Sequence, residues 1–441
     1  MDRRNFLKNA AVIAASATMP EIASATQKTD NLKNINRTGM PLIASAPFLQ
    51  NYAETSIGIA FAVNDLANGY VTWSTKPDMS DATTVKCGGY RVTDMNDKVM
   101  LVRLNGLKPA TKYYYRIGAD RIKYVHGHKM SIIGNEEDHK IYSFTTAGKQ
   151  AKSHFCVIND THNKWIPFGN AVRKIAELSP SCVIWNGDTS DQATTIDDQK
   201  KTFLTPPVDT IGYASEIPYL LCPGNHDSRG LANRRLERIW MFRQPEERSS
   251  RDWDLGRNFA VRMGDIALIG LDTAEDKVDE NPLFAGLFNS KAYREAQTLW
   301  LKDVLRRKEI KSAPFIVAFC HIPLFDTNPK ANPGNIHPND TDPRYSEDFA
   351  MWQKDCGEMW LPMLEKVGCQ LIVCGHTHKY RFDAPDNNHK WAQMVGGGPS
   401  AGGEGRFNSL IEGKVVNNKL QIIVYNIDNG SVYDRKEFDA R

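Results

Sequence analysis

Six short, almost uninterrupted apolar runs in the second part of the chain restrict its fold more than any other feature. Such runs are typical of strands covered on both faces, as in parallel sheets flanked by helices. They are Phe155–Ile158, Cys182–Trp185, Tyr219–Cys222, Ile266–Leu271, Phe315–Cys320 and Leu371–Cys374. Helix-like stretches separate them; in one, Tyr293, Ala296, Trp300 and Val304 recur at steps of three and four residues. The pattern predicts a layered α/β domain over residues 152–430.

Residues 41–147 show a different periodicity, with short strand-like runs between turn residues and no helical signal. The runs are Ile57–Val63, Tyr70–Ser74, Val99–Leu104, Tyr113–Gly118 and Ile141–Thr145. Many short strands at this spacing predict an antiparallel β-sandwich. The segment Leu107–Tyr113 resembles the tyrosine corner of fibronectin type III domains, in which the Tyr113 hydroxyl would bond nearby backbone. The alternative is that Tyr113 is an ordinary strand aromatic.

The first 25 residues have the features of an export signal. Arg3-Arg4-Asn5-Phe6-Leu7-Lys8 resembles the bacterial twin-arginine motif, with Asp2 as a departure, and precedes a weakly apolar run from Ala10 to Met19. Ala23-Ser24-Ala25 resembles a cleavage site. We therefore predict a signal peptide over 1–25 and a soluble mature protein in the periplasm, because no later run approaches the roughly 20 apolar residues of a membrane span. A disordered basic N-terminus is the alternative.

Composition excludes several classes of protein. Apolar residues make up 41% and charged residues 24% of the chain, so it is neither disordered, collagen-like nor multi-span. A net charge of +3 gives no broad basic field for nucleic-acid binding. Five of the eight cysteines lie in apolar runs, which favours buried thiols, while a bridge such as Cys356 with Cys369 stays open. The oligomeric state cannot be read from these features.

Polar clusters follow the apolar runs at the points where the predicted strands end. They are Asp160-Thr161-His162, Gly187-Asp188, Gly224-Asn225-His226-Asp227, His321 and Gly375-His376-Thr377-His378. The carboxyl ends of strands in α/β sheets form the usual ligand-binding edge. Carboxylates, imidazoles and an amide oxygen are ligands for divalent metals. Each cluster alone is a weak signal, but the ordered set predicts one metal site.

The set resembles that of the calcineurin-like metallophosphoesterase superfamily, and the N-terminal sandwich is similar to that of the purple acid phosphatase branch. The resemblance covers about residues 41–430. It implies two divalent ions, which ligand type leaves open as Mn, Fe or Zn. It further implies that Asp160, His162 and His378 hold one ion, that Asn225, His321 and His376 hold the other, and that Asp188 bridges both.

Two positions depart from the purple acid phosphatase pattern. Asp191 stands where that branch has a tyrosine ligand, and His162 stands where its first motif has no histidine. The tyrosine responsible for the purple colour is thus absent. These departures favour the general superfamily pattern over a redox-active ferric site.

The resemblance implies that a hydroxide held between the two ions attacks phosphorus. Metal binding lowers the pKa of water from about 15.7 to about 7. We predict that His226 protonates the leaving group and is oriented by Asp227, with support of the metal site as the alternative role for His226. Asn225 and His226 would face the phosphate. Weaker candidates for substrate contact are Arg229, His337 and Arg344.

The predicted function is an exported binuclear hydrolase of phosphate mono- or diesters, acting on a small-molecule or nucleotide ester. The alternative is a non-catalytic adhesion or glycan-binding protein in which the sandwich is the functional part. Intact ligand motifs argue against this alternative. A zinc peptidase is disfavoured because the H-E-x-x-H motif is missing.

Overall fold

A computed structural model describes residues 39–87, 93–210, 212–242, 255–326, 348–399 and 403–441. The predicted signal peptide over 1–25 lies outside these residues. Within these ranges the strands form one nine-stranded, one six-stranded and one five-stranded sheet. The helices are α1 (Trp165–Leu178), α2 (Ile196–Phe203), α3 (Ser290–Val304), α4 (Lys308–Lys311) and α5 (Asp348–Lys366). In the part of the chain that the structure describes, none of these helices has the length and apolarity to cross a membrane.

Two of the sheets face each other in the second part of the chain. The first contains β9 (His154–Ile158), β10 (Cys182–Trp185), β11 (Tyr219–Leu221), β18 (Ser409–Val416), β19 (Lys419–Asn426) and β20 (Ser431–Asp439). The second contains β12 (Phe259–Met263), β13 (Ile266–Leu271), β14 (Phe315–Cys320), β15 (Leu371–Cys374), β16 (Arg381–Asp383) and β17 (Ala392–Val395). Neighbours among β9, β10 and β11, and among β13, β14 and β15, pair in parallel. The predicted layered α/β fold is confirmed.

Burial on both strand faces explains why the six runs are apolar throughout. Phe155 and Val157 of β9 lie in the core between the two sheets, with Phe319 of β14. The alternate residues Cys156 and Ile158 instead pack against α1. On the outer face of the second sheet, α3 and α5 cover β13, β14 and β15. The layers are therefore helix, sheet, sheet and helix.

The N-terminal region is a β-sandwich, as the sequence predicts. One of its layers contains β3 (Ala67–Ser74), β4 (Thr83–Lys86), β6 (Lys112–His126), β7 (Lys129–Glu137) and β8 (Tyr142–Thr145). The other contains β1 (Phe48–Gln50), β2 (Ser56–Ala62) and β5 (Val99–Asn105). The Tyr113 hydroxyl accepts a hydrogen bond of 2.8 Å from the Lys108 amide, the contact expected of a tyrosine corner.

The sandwich and the α/β part share a sheet. β1 pairs in parallel with β11 through Gln50 and Tyr219, so β2 and β5 extend the nine-stranded sheet. The Gln50 side chain also donates from Nε2 to the Ile239 carbonyl at 2.9 Å, and the Tyr115 hydroxyl donates to the Ser215 carbonyl at 2.7 Å. These contacts hold the chain on both sides of β11, which leads directly into the Asn225 loop. The limits 41–147 and 152–430 remain predictions.

All eight cysteines lie within the described residues and carry free thiols. The five cysteines in the apolar runs are buried, as predicted. Cys356 and Cys369 are also buried free thiols rather than a bridge.

Glu412 on β18 is a buried carboxylate that ties three residues together. Its Oε1 accepts from His154 Nε2 at 2.9 Å and from Lys414 Nζ at 3.0 Å, and its Oε2 accepts from the Tyr425 hydroxyl at 2.8 Å. Burial would raise the pKa of Glu412, but these hydrogen bonds outweigh it and lower the pKa from 4.5 to about 2. Because the pKa of Glu412 is lower in the folded than in the unfolded protein, the ionised carboxylate stabilises the fold. This contribution to the free energy of unfolding is complete above about pH 4.5 and is lost as the pH falls toward 2.

We expect Glu412→Gln to destabilise the protein at pH 7 by about 2 kcal/mol. Glutamine is uncharged, and only one of its two terminal atoms can accept a hydrogen bond, so it cannot replace the carboxylate at all three contacts. The difference from wild type should shrink between pH 4.5 and pH 3, as the wild-type carboxylate protonates. Urea unfolding at several pH values measures this, with Glu437→Gln on the exposed part of β20 as the control. A constant difference across this pH range would contradict the assignment.

Candidate metal centre

The predicted metal ligands lie at one edge of the two sheets, in the loops that follow β9, β10, β11, β14 and β15. Five of these residues have φ angles in the left-handed region that non-glycine residues rarely adopt. They are Asp160 at 49°, His162 at 44°, Asp188 at 53°, His376 at 72° and His378 at 54°. Each such residue costs on the order of 1–2 kcal/mol, and backbone strain of this kind concentrates at functional sites. The fold therefore holds these loops in conformations that local preference opposes.

The first ligand group contains Asp160, His162, Asp188 and His378, whose candidate ligand atoms all lie within 4.8 Å of one another. His162 Nε2 and His378 Nε2 are 3.0 Å apart, and His378 Nε2 is 3.2 Å from Asp160 Oδ1. His378 Nδ1 lies 3.0 Å from the Pro399 carbonyl, to which it donates, so Nε2 presents a lone pair to the group. Two imidazole nitrogens facing each other at this distance, beside a carboxylate, fit the coordination of one cation.

The second ligand group contains Asp188, His321 and His376. His321 Nε2 lies 3.1 Å from Asp188 Oδ2, and His376 Nδ1 lies 3.0 Å from Asn225 Oδ1. His321 Nδ1 donates to the Asn186 carbonyl at 2.8 Å, which again turns Nε2 toward the site. This group fits a second cation with nitrogen and oxygen ligands.

Asp188 belongs to both groups, as a bridging ligand must. Its Oδ2 lies 3.5 Å from His162 Nε2 in the first group and 3.1 Å from His321 Nε2 in the second. Its Oδ1 accepts a hydrogen bond of 2.9 Å from the His226 amide, which fixes the carboxylate between the groups. The seven residues that the sequence predicts as ligands are therefore together in the structure.

The protein pairs opposite charges within this buried cluster. Burial would raise the pKa of Asp188, but the neighbouring charge of His321 and its hydrogen bond outweigh burial, and the pKa lies well below its usual range. Burial would likewise lower the pKa of His321, but Asp188 and Asp160 raise it to about 10. A cation bound here would take the place of the proton on His321 Nε2, because a ligating histidine must be neutral.

Asp227 does not have the orienting role that the sequence suggests. Its carboxylate accepts from the Asp188 amide at 2.9 Å, from the Gly224 amide at 2.9 Å and from the Thr189 hydroxyl at 2.6 Å. The prediction that Asp227 orients His226 is therefore corrected. Asp227 instead holds the Asp188 loop to the Asn225 loop.

The His226 ring is held by other groups. Its Nδ1 lies 2.7 Å from the Asp191 carbonyl, and its Nε2 lies 3.0 Å from Arg229 Nη1. Because a guanidinium only donates, Nε2 accepts and the ring proton lies on Nδ1. The Asp191 carboxylate lies 2.8 Å from His162 Nδ1. The two residues that depart from the purple acid phosphatase pattern, Asp191 and His162, therefore contact each other.

Two buried carboxylates of the site were missed in the sequence, and both follow β13. Glu275 binds Arg229 through two parallel contacts of 2.9 Å, from Nε to Oε1 and from Nη2 to Oε2. Asp276 Oδ2 lies 3.3 Å from His376 Nε2. The available signal was the acidic stretch Asp272–Asp276 directly after an apolar run. Of the weaker candidates, Arg229 lies at the site, whereas His337 and Arg344 fall outside the described residues.

Comparison with solved structures shows the same fold. A purple acid phosphatase, PPD1 from yellow lupin (Lupinus luteus) seeds, superimposes with a TM-score of 0.58 at 14% identity, over 89% of this chain and 74% of that chain. PhoD superimposes with a TM-score of 0.56 at 12% identity, over 91% of this chain and 94% of that chain. At these identities the likeness concerns the fold alone.

Sequence comparison gives the family. No curated protein matches the sequence. The family model described as calcineurin-like phosphoesterase matches residues 153–380, which is more than half of the chain and contains all seven ligand positions. The chain therefore belongs to the calcineurin-like phosphoesterase family.

Proposed function

We propose that the protein is an exported hydrolase of phosphate mono- or diesters that works with two divalent metal ions. The observation that carries this proposal is the pair of ligand groups that share Asp188, in which every residue except the half-buried His378 is buried. Two sites joined by one carboxylate suit in-line displacement at phosphorus, in which the attacking and leaving oxygens both need charge stabilisation. The family supports a phosphate ester as the substrate.

Asp160, His162, His378 and Asp188 would hold one ion, and Asn225, His321, His376 and Asp188 the other. The bound ions would supply water activation at neutral pH and charge neutralisation at the phosphoryl oxygens. The chain itself fixes the ligands: the carbonyls of Asn186 and Pro399 set the tautomers of His321 and His378. The fold holds their loops at one edge of the sheets although His376 and His378 have unfavourable φ angles. The metal identity is left to experiment among Mn, Fe and Zn.

His226 is the proposed donor of the proton to the leaving group. With Arg229 beside it, its Nε2 accepts a hydrogen bond and has no proton to give. Arg229 is held by Glu275 through Nε and Nη2, so Nη1 is the nitrogen that remains to donate to a phosphoryl oxygen in place of His226. Substrate binding would then leave Nε2 free to take up a proton from solvent, which it would pass to the leaving oxygen while Nδ1 keeps its own proton on the Asp191 carbonyl.

We expect Arg229→Ala to lower kcat/KM by about 10²-fold, because the variant loses a charge-assisted bond to the phosphoryl group, worth about 2–3 kcal/mol. Arg229→Lys should recover little of the loss, since an ammonium cannot keep two parallel contacts with Glu275 while reaching the substrate. Steady-state kinetics on an aryl phosphate measures both variants. The exposed Arg234→Ala is the matched control, and equal kinetics for Arg229→Ala and Arg234→Ala would remove Arg229 from the substrate site.

The proposed function is tested with a panel of phosphate monoesters and diesters, assayed on metal-free protein reloaded with Mn, Zn or Fe(II). We expect turnover of at least one ester class that disappears with chelator and returns with metal. Turnover that is equally fast after metal removal would contradict the mechanism. Absence of turnover with every ester and metal would instead favour a non-catalytic protein.

Export is proposed from the twin-arginine-like motif at Arg3-Arg4. Cell fractionation tests it: the protein should be periplasmic, and a variant with lysines in place of Arg3 and Arg4 should stay in the cytoplasm. Cytoplasmic retention of the natural sequence would contradict export.

A further inference from the structure

His376 differs from the other histidines of the site in the direction of its ring. His321 and His378 turn Nε2 toward the ligand groups and bond backbone carbonyls through Nδ1. His376 instead faces Asn225 Oδ1 with Nδ1, at 3.0 Å, and turns Nε2 away. Phe349 packs beside the ring, with centroids 5.8 Å apart. Nδ1 is therefore the atom of His376 that would face an ion held with Asn225.

A buried carboxylate lies behind the ring. Asp276 Oδ2 is 3.3 Å from His376 Nε2, and Asp276 Oδ1 accepts from Lys277 Nζ at 3.0 Å. The side chain of Asp276 is 2% exposed and that of Lys277 is 10% exposed. The comparable carboxylate behind His162, that of Asp191, is 63% exposed and therefore weakened by solvent. Of these two predicted ligands, His376 is thus the one whose second ring nitrogen faces a carboxylate that is shielded from solvent.

A neutral imidazole has one ring proton, and a ring that gives the Nδ1 lone pair to a metal must carry this proton on Nε2. A carboxylate at Nε2 stabilises that tautomer and raises the basicity of the ligating nitrogen. Lys277 Nζ, 3.0 Å from Asp276 Oδ1, balances part of the charge of the buried carboxylate.

We propose that Asp276 is a positioning residue that keeps the proton of His376 on Nε2 and thereby strengthens the metal site formed with Asn225 and His321. The inference rests on the proposed function only in that this site binds a divalent ion. It predicts unequal dependence of the two sites on Asp276, because the first ligand group has no contact with this carboxylate among the described residues.

The test is metal binding by Asp276→Asn, measured by calorimetric titration of metal-free protein with Mn²⁺. In wild type we expect two bound ions. In the variant we expect one of them to bind about 10–100-fold more weakly, the usual effect of losing such a partner, and the other to change by less than about twofold. Asp272→Asn is the matched control, since Asp272 is buried in the same loop but accepts from the Ala274 amide and the Tyr293 hydroxyl. Two unchanged affinities in folded Asp276→Asn would overturn the proposal.

A second measurement covers the case in which Asp276→Asn does not fold. In wild-type protein with ¹⁵N-labelled histidine and bound Zn²⁺, nitrogen chemical shifts show which ring nitrogen carries the proton, and a His376→Gln variant assigns the signal. We expect the proton on Nε2 and the metal on Nδ1 of His376. Metal on Nε2 would overturn the proposal. Wild type that binds two ions but hydrolyses no ester would contradict only the proposed function.

Discussion

Asp188→Asn is expected to reduce kcat/KM for a phosphate ester on the order of 10³-fold, because the carboxylate that we propose as the bridge between the ions would support several kcal/mol of charge stabilisation. Asp188 Oδ2 faces His321 at 3.1 Å and His162 at 3.5 Å, so both ligand groups depend on it. Asparagine keeps the shape but brings one neutral oxygen and an NH₂ group that cannot bind a cation. Kinetics and metal content, measured on the same preparation, should fall together.

Asp197→Asn is the control for this variant. Asp197 lies on α2 with its side chain 54% exposed, and it pairs with Lys98 at 3.1 Å. Since exposed ion pairs contribute at most about 1 kcal/mol, we expect metal content and activity of this variant to match those of wild type. If Asp188→Asn kept both ions and more than about a tenth of the wild-type activity, Asp188 would not have the bridging role.

The fold and the ligands could be predicted because they share one local signal. Five of the six apolar runs end at a ligand cluster, as Leu371–Cys374 does before His376 and His378, so strand assignment also placed the site. The continuous sheet had no such signal. β1 has only three residues, too few to show a periodicity, and its pairing with Tyr219 of β11 depends on the packing of distant segments.

The contacts that hold the predicted ligands and their neighbours in place were harder to predict. Asp227 follows His226 in sequence, but the two lie in a short 3₁₀ turn, where consecutive side chains point about 120° apart. Adjacency in the sequence therefore suggested a contact that the turn geometry prevents. Glu275 and Asp276 belong to no short motif, and their partners Arg229 and His376 are 46 and 100 residues away. Such contacts depend on which loops meet at the sheet edge, which local patterns do not encode.

The glycine before Asp188 shows how closely the loops meet. Gly187 has a φ of 82°, in the region that favours glycine, and a Cβ at this position would overlap His321 Nδ1 and lie 2.8 Å from the Gly224 Cα. The Gly187 carbonyl also accepts from the Asp160 amide at 3.0 Å. One residue without a side chain thus allows three ligand loops to approach one another.

We expect Gly187→Ala to lower the free energy of unfolding by about 3 kcal/mol or more, because it combines an unfavourable φ with an overlap in a packed site. Displacement of the His321 ring should also weaken binding of the second metal ion, so activity should fall by at least about 10²-fold. Gly106→Ala separates the two causes: Gly106 has a φ of 71° with no atom within 4 Å of the added Cβ. That control should lose only about 1 kcal/mol and keep both metal ions. Unfolding curves and metal analysis of the two variants give the comparison. If both variants lost the same stability and kept their full metal content, the contact with His321 would not be the reason for glycine at position 187.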